Sequence, residues 1–214
     1  MNIYLLGMYE NPTVESIMAT ESRFAHFAAV GTWVDDGSRC DACDWHGSAL
    51  VEPLLVQWEP SSEVIGDFSW DGPFGLLFVV TGPVAEFLRD NGFPCDLLTV
   101  DYVPPESRRK TRLVPYPYVG PKQYWAECRT LVDLDMNTSG VKIESSCEVC
   151  GMIRHTFRHR KITIRTRDWL GDMMFRVRTN EPSSATFVTE EGRRLIEDAG
   201  FSNVAFSIAG KIVE

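Results

Sequence analysis

Two short cysteine pairs constrain this chain more than any other feature. Cys40-Asp41-Ala42-Cys43 lies near the start, and Cys147-Glu148-Val149-Cys150-Gly151 lies well past the middle. Two intervening residues let both sulfurs of a pair reach one metal while the backbone turns around them. Four thiols in two such clips suit the tetrahedral coordination of zinc. Gly151, after the last cysteine, permits a tight turn. The separation is the unusual part. A zinc ribbon spaces its clips by about 15–20 residues, whereas 103 residues lie between Cys43 and Cys147. One Zn2+ on Cys40, Cys43, Cys147 and Cys150 therefore joins two distant stretches of chain. Four thiolates saturate zinc and leave no place for a reactive water, so the expected ion is structural. A redox clip instead opens a helix whose N-terminus lowers one thiol pKa, and neither pair precedes a recognisable helix.

The surrounding chain repeats at nearly the spacing of the clips. Leu76 to Val80 has the pattern of a buried strand. Thr81 can cap the helix that follows, Pro83 suits its first turn, Val84, Phe87 and Leu88 mark one apolar face, and Gly92 stops it. Leu97 to Val103 is expected to return as a strand. Near the C-terminus Phe187-Val188, Thr189, Leu195-Ile196 and Gly200-Phe201 reproduce this unit at a constant offset of 108, followed by a strand from Val204 to Ile208. Capped helices ending in Gly-Phe are common. The cysteines, however, repeat at an offset of 107, Cys40 to Cys147 and Cys43 to Cys150. That agreement predicts an α+β, β-rich fold of two pseudo-repeated halves, each with a clip and a strand–helix–strand element, sharing one zinc site.

The halves are expected at about 1–103 and 122–214, within a single zinc-clasped domain. The connector, 104–121, is rich in proline and carries Tyr116-Pro117-Tyr118. Asn2 to Tyr9 reads as an opening strand, and Ala49 to Trp58 as extended chain broken at Pro53. Thr130 to Ile143 reads as a hairpin around Asn137-Thr138-Ser139-Gly140. Lys161 to Arg165 alternates as a strand with Ile162 and Ile164 inward.

At 214 residues, 44% hydrophobic and 24% charged, the chain can bury a substantial core. Met1 to Gly7 has no basic leader, and no run reaches membrane-spanning length, so a cytoplasmic location with no membrane partner is expected. There cysteines hold metal more often than they form disulfides. Cys95 and Cys128, outside both clips, read as small buried apolar residues. His46, His155 and His159 lie near the clips as alternative ligands, though exposed surface positions suit them better. His26, between Phe24 and Phe27, reads as a hydrogen-bonded core residue.

The formal charge of −9 disfavours a general nucleic-acid binder and suits a basic partner. The charge is uneven. From Arg154 to Arg178 eight basic residues stand against Asp168 and Asp172, a local +6 that leaves −15 on the remainder. That stretch carries the alternative reading, a nucleic-acid-binding zinc-ribbon protein. No phosphate-cradling glycine loop, nucleophile elbow or HExxH motif is present, so no enzyme activity and no catalytic residue is expected.

Taken together, the early CxxC followed by Trp45, the central strand and helix, the late CxxCG, and the ending Asp172-Met173-Met174-Phe175-Arg176 with its Phe-Val-Thr-Glu helix resemble the bacterial double-CxxCG motif family. That family includes myxobacterial immunity proteins of the Sit type. Asp44 stands where the family's first clip has glycine, which bears on the turn more than on the ligands. The resemblance implies a non-enzymatic immunity protein that binds and neutralises a cognate toxin.

Overall fold

The computed structural model describes residues 1–8, 23–30, 33–60, 62–72, 77–105, 113–150, 153–156, 161–177 and 185–214, with backbone alone for 33–38, 45–50 and 153–156. The first strands are β1 (Asn2–Gly7), β2 (Phe27–Ala29), β3 (Trp33–Cys40), β4 (Trp45–Leu50), β5 (Leu54–Trp58) and β6 (Phe68–Trp70). Next come β7 (Phe78–Thr81), helix α1 (Gly82–Asp90), β8 (Cys95–Leu98), β9 (Val100–Tyr102) and β10 (Gln123–Cys128). Then follow β11 (Leu131–Val132), β12 (Lys142–Ser146), β13 (Ile153–Thr156), β14 (Ile162–Arg165) and β15 (Met174–Val177). The chain closes with β16 (Thr186–Thr189), helix α2 (Glu190–Ala199) and β17 (Ala205–Val213). The architecture is β-rich α+β.

Two sheets follow the same path. In the four-stranded sheet, of order β6-β7-β10-β8, β10 runs antiparallel to both neighbours. Strands β7 and β8, joined by α1, are therefore parallel with β10 inserted between them. In the six-stranded sheet, of order β11-β15-β16-β1-β17-β14, β1 is likewise antiparallel to β16 and β17, which α2 joins. The inserted strand comes each time from the other part of the chain: β1 lies in the late sheet and β10 in the early one. Outside them the correspondence continues, since β5 runs parallel to β9 and β14 parallel to the end of β17.

Alternation within the strands explains the layering. In β7, Phe78 and Val80 face a central core while Val79 faces the opposite side, and in β1 Tyr4 and Leu6 oppose Ile3 and Leu5. Both strands are buried on both faces, which is why they read as continuous apolar runs. The central core joins the two sheets through Phe68, Trp70, Val188 and Met174, with Val84 and Leu88 of α1 and Ile196 of α2. Each fully buried Leu, Ile or Phe side chain contributes about 1.5–3 kcal/mol.

The helix boundaries match expectation. Thr81 and Thr189 are the N-caps, Thr189 accepting a hydrogen bond from the Gly192 amide at 3.2 Å. Thr81 uses its hydroxyl on Asp67 instead. Gly200 takes a left-handed φ of 72° at the end of α2.

Two expectations need correction. Thr130–Ile143 is not a hairpin: β11 pairs in parallel with β15, whereas β12 pairs with β13 across the second clip. The polar turn at 136–140 is real, but each flank finds a longer-range partner. Leu97–Val103 is not one strand either. It breaks at Thr99, whose amide and hydroxyl both donate to Glu52, so that β8 pairs with β10 and β9 with β5. Within the connector Val114 is buried and the Tyr118 ring lies tilted against Tyr102 at 4.1 Å, while residues 106–112 lie outside the described residues.

The segment after α2 ties the two sheets together. Asp67 accepts from the amide and hydroxyl of Ser202 at 2.8 and 2.7 Å, Trp70 donates to the Asn203 carbonyl, and the Asn203 side-chain amide donates to the Phe68 carbonyl. Gly210 faces Ile162 on one side and Ile3 on the other, beside a register shift in the β1–β17 pairing. A Cβ there would stand 1.9 Å from the Ile162 carbonyl oxygen. Gly210→Ala should therefore cost about 3 kcal/mol, the upper range for overpacking. Gly7→Ala, whose Cβ meets nothing within 4 Å, should stay within about 0.5 kcal/mol. Urea unfolding midpoints of the two variants check this.

Candidate metal centre

Both clips sit at the tips of two-stranded hairpins. Cys40 is the last residue of β3 and pairs with Trp45 at the start of β4, so the first clip spans the turn 41–44. In the second hairpin Ser146 pairs with Ile153, and Cys147 and Cys150 lie in the connection between them. Asp44 has a left-handed φ of 56°. Among non-glycine residues, Asp and Asn tolerate that conformation best. The geometry that glycine serves is thus kept with an aspartate. Gly151 lies outside the described residues.

The four sulfurs lie within 4.8 Å of one another. Cys40 Sγ is 3.8 Å from Cys147 Sγ, and Cys43 Sγ is 3.7 Å from Cys150 Sγ. Ligand sulfurs about 2.3 Å from a zinc ion stand about 3.8 Å apart at the corners of a tetrahedron. Both cross-hairpin distances match that edge and far exceed the ~2.05 Å of a disulfide. None of the cysteines is in a disulfide. Each close contact joins residues 107 apart.

The turn also prepares a ligand. Backbone N–H groups of Cys150 and then Val149 donate to the Cys147 sulfur and hold its thiol down at about 6. The thiolate is the form that binds metal. Exposure is graded across the cluster, with Cys40 buried, Cys43 and Cys147 half-buried and Cys150 exposed. Four thiolates fit Zn2+ as a closed structural site.

Cys95 and Cys128 face each other on β8 and β10; Cys128 is buried in the central apolar cluster, as expected, whereas Cys95 is only partly buried against it. Burial pushes their thiols up to about 11 and about 12. The side chains of His46 and His155 and all of His159 lie outside the described residues. His26 Nε2 donates to the Glu59 carboxylate at 3.1 Å, so His26 is a hydrogen-bonded residue at the edge of the core. Of the basic stretch, residues 157–160 and 178 lie outside the described residues. Within it Arg165 binds Asp135 at 2.6 Å, Arg167 faces Asp168 at 3.6 Å and Arg176 faces Glu127 at 3.7 Å. An open pocket of about 530 Å³ beside Asp135, Asn137 and Arg165 is lined by this same ion pair.

The sequence reading missed the Asp67–Ser202–Asn203 link. Its signal was a polar Ser-Asn pair directly after the helix stop at Gly200-Phe201. The stack of Trp58 and Tyr118 on Tyr102 was also missed, because its members are far apart in the chain. No protein-family model matches this chain, and no curated protein matches it.

A two-stranded hairpin is at best marginally stable alone, and neither clip hairpin shares a sheet with another strand among the described residues. Metal removal by a chelator should therefore expose the amides of β3, β4, β12 and β13 to hydrogen exchange while β1 and β16 stay protected. Uniform protection of all six strands after chelation would contradict this. A β-branched residue in the left-handed region costs about 1–2 kcal/mol. Asp44→Val should accordingly weaken zinc binding about tenfold in a chelator competition, and Asp44→Gly should not.

Proposed function

We propose that this chain is a non-enzymatic immunity protein of the double-CxxCG type, acting in the cytoplasm by binding and neutralising a cognate bacterial toxin. One structural Zn2+ on Cys40, Cys43, Cys147 and Cys150 clasps two duplicated halves. The observation that carries the metal reading is the pair of cross-hairpin sulfur distances, 3.8 and 3.7 Å, in a cluster of four thiols. Such a set supplies rigidity and no open coordination position, which favours a binding role over a reaction at the metal.

The duplication draws support from topology as well as spacing. Each half supplies a hairpin clip, a strand–helix–parallel strand unit and one strand that inserts into the sheet of the other half. The pairing of Cys40 with Cys147 and of Cys43 with Cys150 is what a local two-fold relation between halves would give. Chain exchange thus fixes the bodies of the halves, and the metal fixes their hairpins.

The toxin as partner rests on the resemblance of the clips and the Asp172–Arg176 ending. It is supported by the net charge of −9, which steers a basic protein toward this surface. The nucleic-acid reading is weakened because Arg165 and Arg176 are partly buried against the carboxylates of Asp135 and Glu127. Among the described residues no helix is long and apolar enough to cross a membrane.

Co-expression with the toxin encoded beside this gene is the direct test. The chain should restore growth and co-purify with the toxin, and Cys40→Ser with Cys147→Ser should lose protection. Growth arrest despite abundant, folded, zinc-loaded chain, with no toxin recovered, would overturn the proposal.

A further inference from the structure

The cluster of four thiols is not uniform, and its asymmetry has chemical consequences. Cys40 is 5% exposed, walled in where β3 ends, whereas Cys150 lies open to solvent on the turn that also leaves Val149 77% exposed. The shorter of the two cross-hairpin contacts, 3.7 Å, belongs to the open side and joins Cys43 to Cys150. Oxidation of a cysteine depends on access of the oxidant and on a second thiol within reach to resolve the first product. Cys150 has the access, and Cys43 on the opposite hairpin is a second thiol within reach at 3.7 Å. Cys128 lacks the first, being buried in the central core, and Cys95 opposite it is only partly exposed.

We infer that Cys43 and Cys150 form a peroxide-reactive modification site, at which oxidation replaces the metal bridge between the two hairpins with a covalent one. This rests on the structural-zinc reading of the same cluster. The oxidant is hydrogen peroxide or an alkyl hydroperoxide. The Cys150 thiolate attacks one peroxide oxygen, the O–O bond breaks, and hydroxide (or alkoxide) leaves, giving a sulfenic acid. The Cys43 thiolate then attacks that sulfur, the S–O bond breaks, and a second hydroxide leaves. Two protons complete the two leaving groups as water, or as water and alcohol. Two thiolates are thereby oxidised by two electrons and one peroxide is reduced.

Disulfide formation requires the 3.7 Å separation to close to about 2.05 Å. Cys43 and Cys150 both lie in turns at hairpin tips, so side-chain rotation and a small shift of the tips supply that movement. Only Cys40 and Cys147 would then remain for the ion, too few to retain zinc as a closed site. The link between hairpins survives the loss of metal because the new bond joins the same two tips. Reduction by a dithiol reverses the step and restores all four ligands.

The experiment uses the full chain as purified with its metal. Zinc per chain is measured first. Hydrogen peroxide is then added stepwise while a metallochromic indicator follows zinc release. Thiols are blocked with N-ethylmaleimide, and disulfides are mapped by peptide mass spectrometry without reduction. The expected result is a Cys43–Cys150 bond as the first product, with one zinc lost per bond formed and reloading on addition of dithiothreitol and zinc. A zinc-loaded chain that instead forms Cys40–Cys43 or Cys147–Cys150, carries a sulfinic acid at Cys150 without a disulfide, or keeps its zinc overturns the inference. A chain purified without zinc that still forms the Cys43–Cys150 bond sinks the metal reading separately.

Discussion

The mutual distance of four sulfur atoms is the constraint on which the peripheral structure depends. Four thiols brought together from two hairpin tips form a cluster that could hold a metal ion. Here the tips converge to 3.8 and 3.7 Å, the edge of a zinc-sized tetrahedron. Both clip hairpins are two-stranded, with no further strand in their sheets among the described residues. On the proposed reading, a metal at the tips would act where the fold has the fewest strand partners.

The body of the protein depends on a different interaction. Strand β1 is hydrogen-bonded between β16 and β17, and β10 between β7 and β8. Separating the early part of the chain from the late part would strip the middle strand from two sheets and expose the core that Phe68, Trp70, Val188 and Met174 share. Dispersion and hydrophobic burial on that scale outweigh the Asp67–Ser202 and Trp70–Asn203 hydrogen bonds, each worth about 0.5–3 kcal/mol net. Those bonds set the register of the two sheets. The proposed metal would set the hairpins.

Much of this was legible in the residues, for reasons that are local. Thr189 and Gly200 mark the ends of α2 because capping and left-handed φ are properties of single residues in their immediate context. The buried runs around Val80 and Val188 are read as strands because both faces are covered. The clips are legible because thiol chemistry at fixed spacing has few uses. Pairing was not legible. The polar turn at 136–140 suggests a hairpin, yet Leu131 and Lys142 find partners 45 and 14 residues further on, in Arg176 and Thr156. Nothing in β1 or β10 announces that each inserts into the other sheet, since an apolar strand carries no label for its neighbour. Asp44 looked like a departure from glycine and proves to hold the same backbone angle.

One ion bound by Cys40, Cys43, Cys147 and Cys150 is proposed to connect the two hairpins. X-ray absorption at the zinc edge, on protein purified without added metal, tests it most directly. The account predicts one zinc per chain with a first shell of four sulfurs at about 2.3 Å. A shell containing nitrogen or oxygen, or about half a zinc per chain because one ion is shared between two chains, would contradict it.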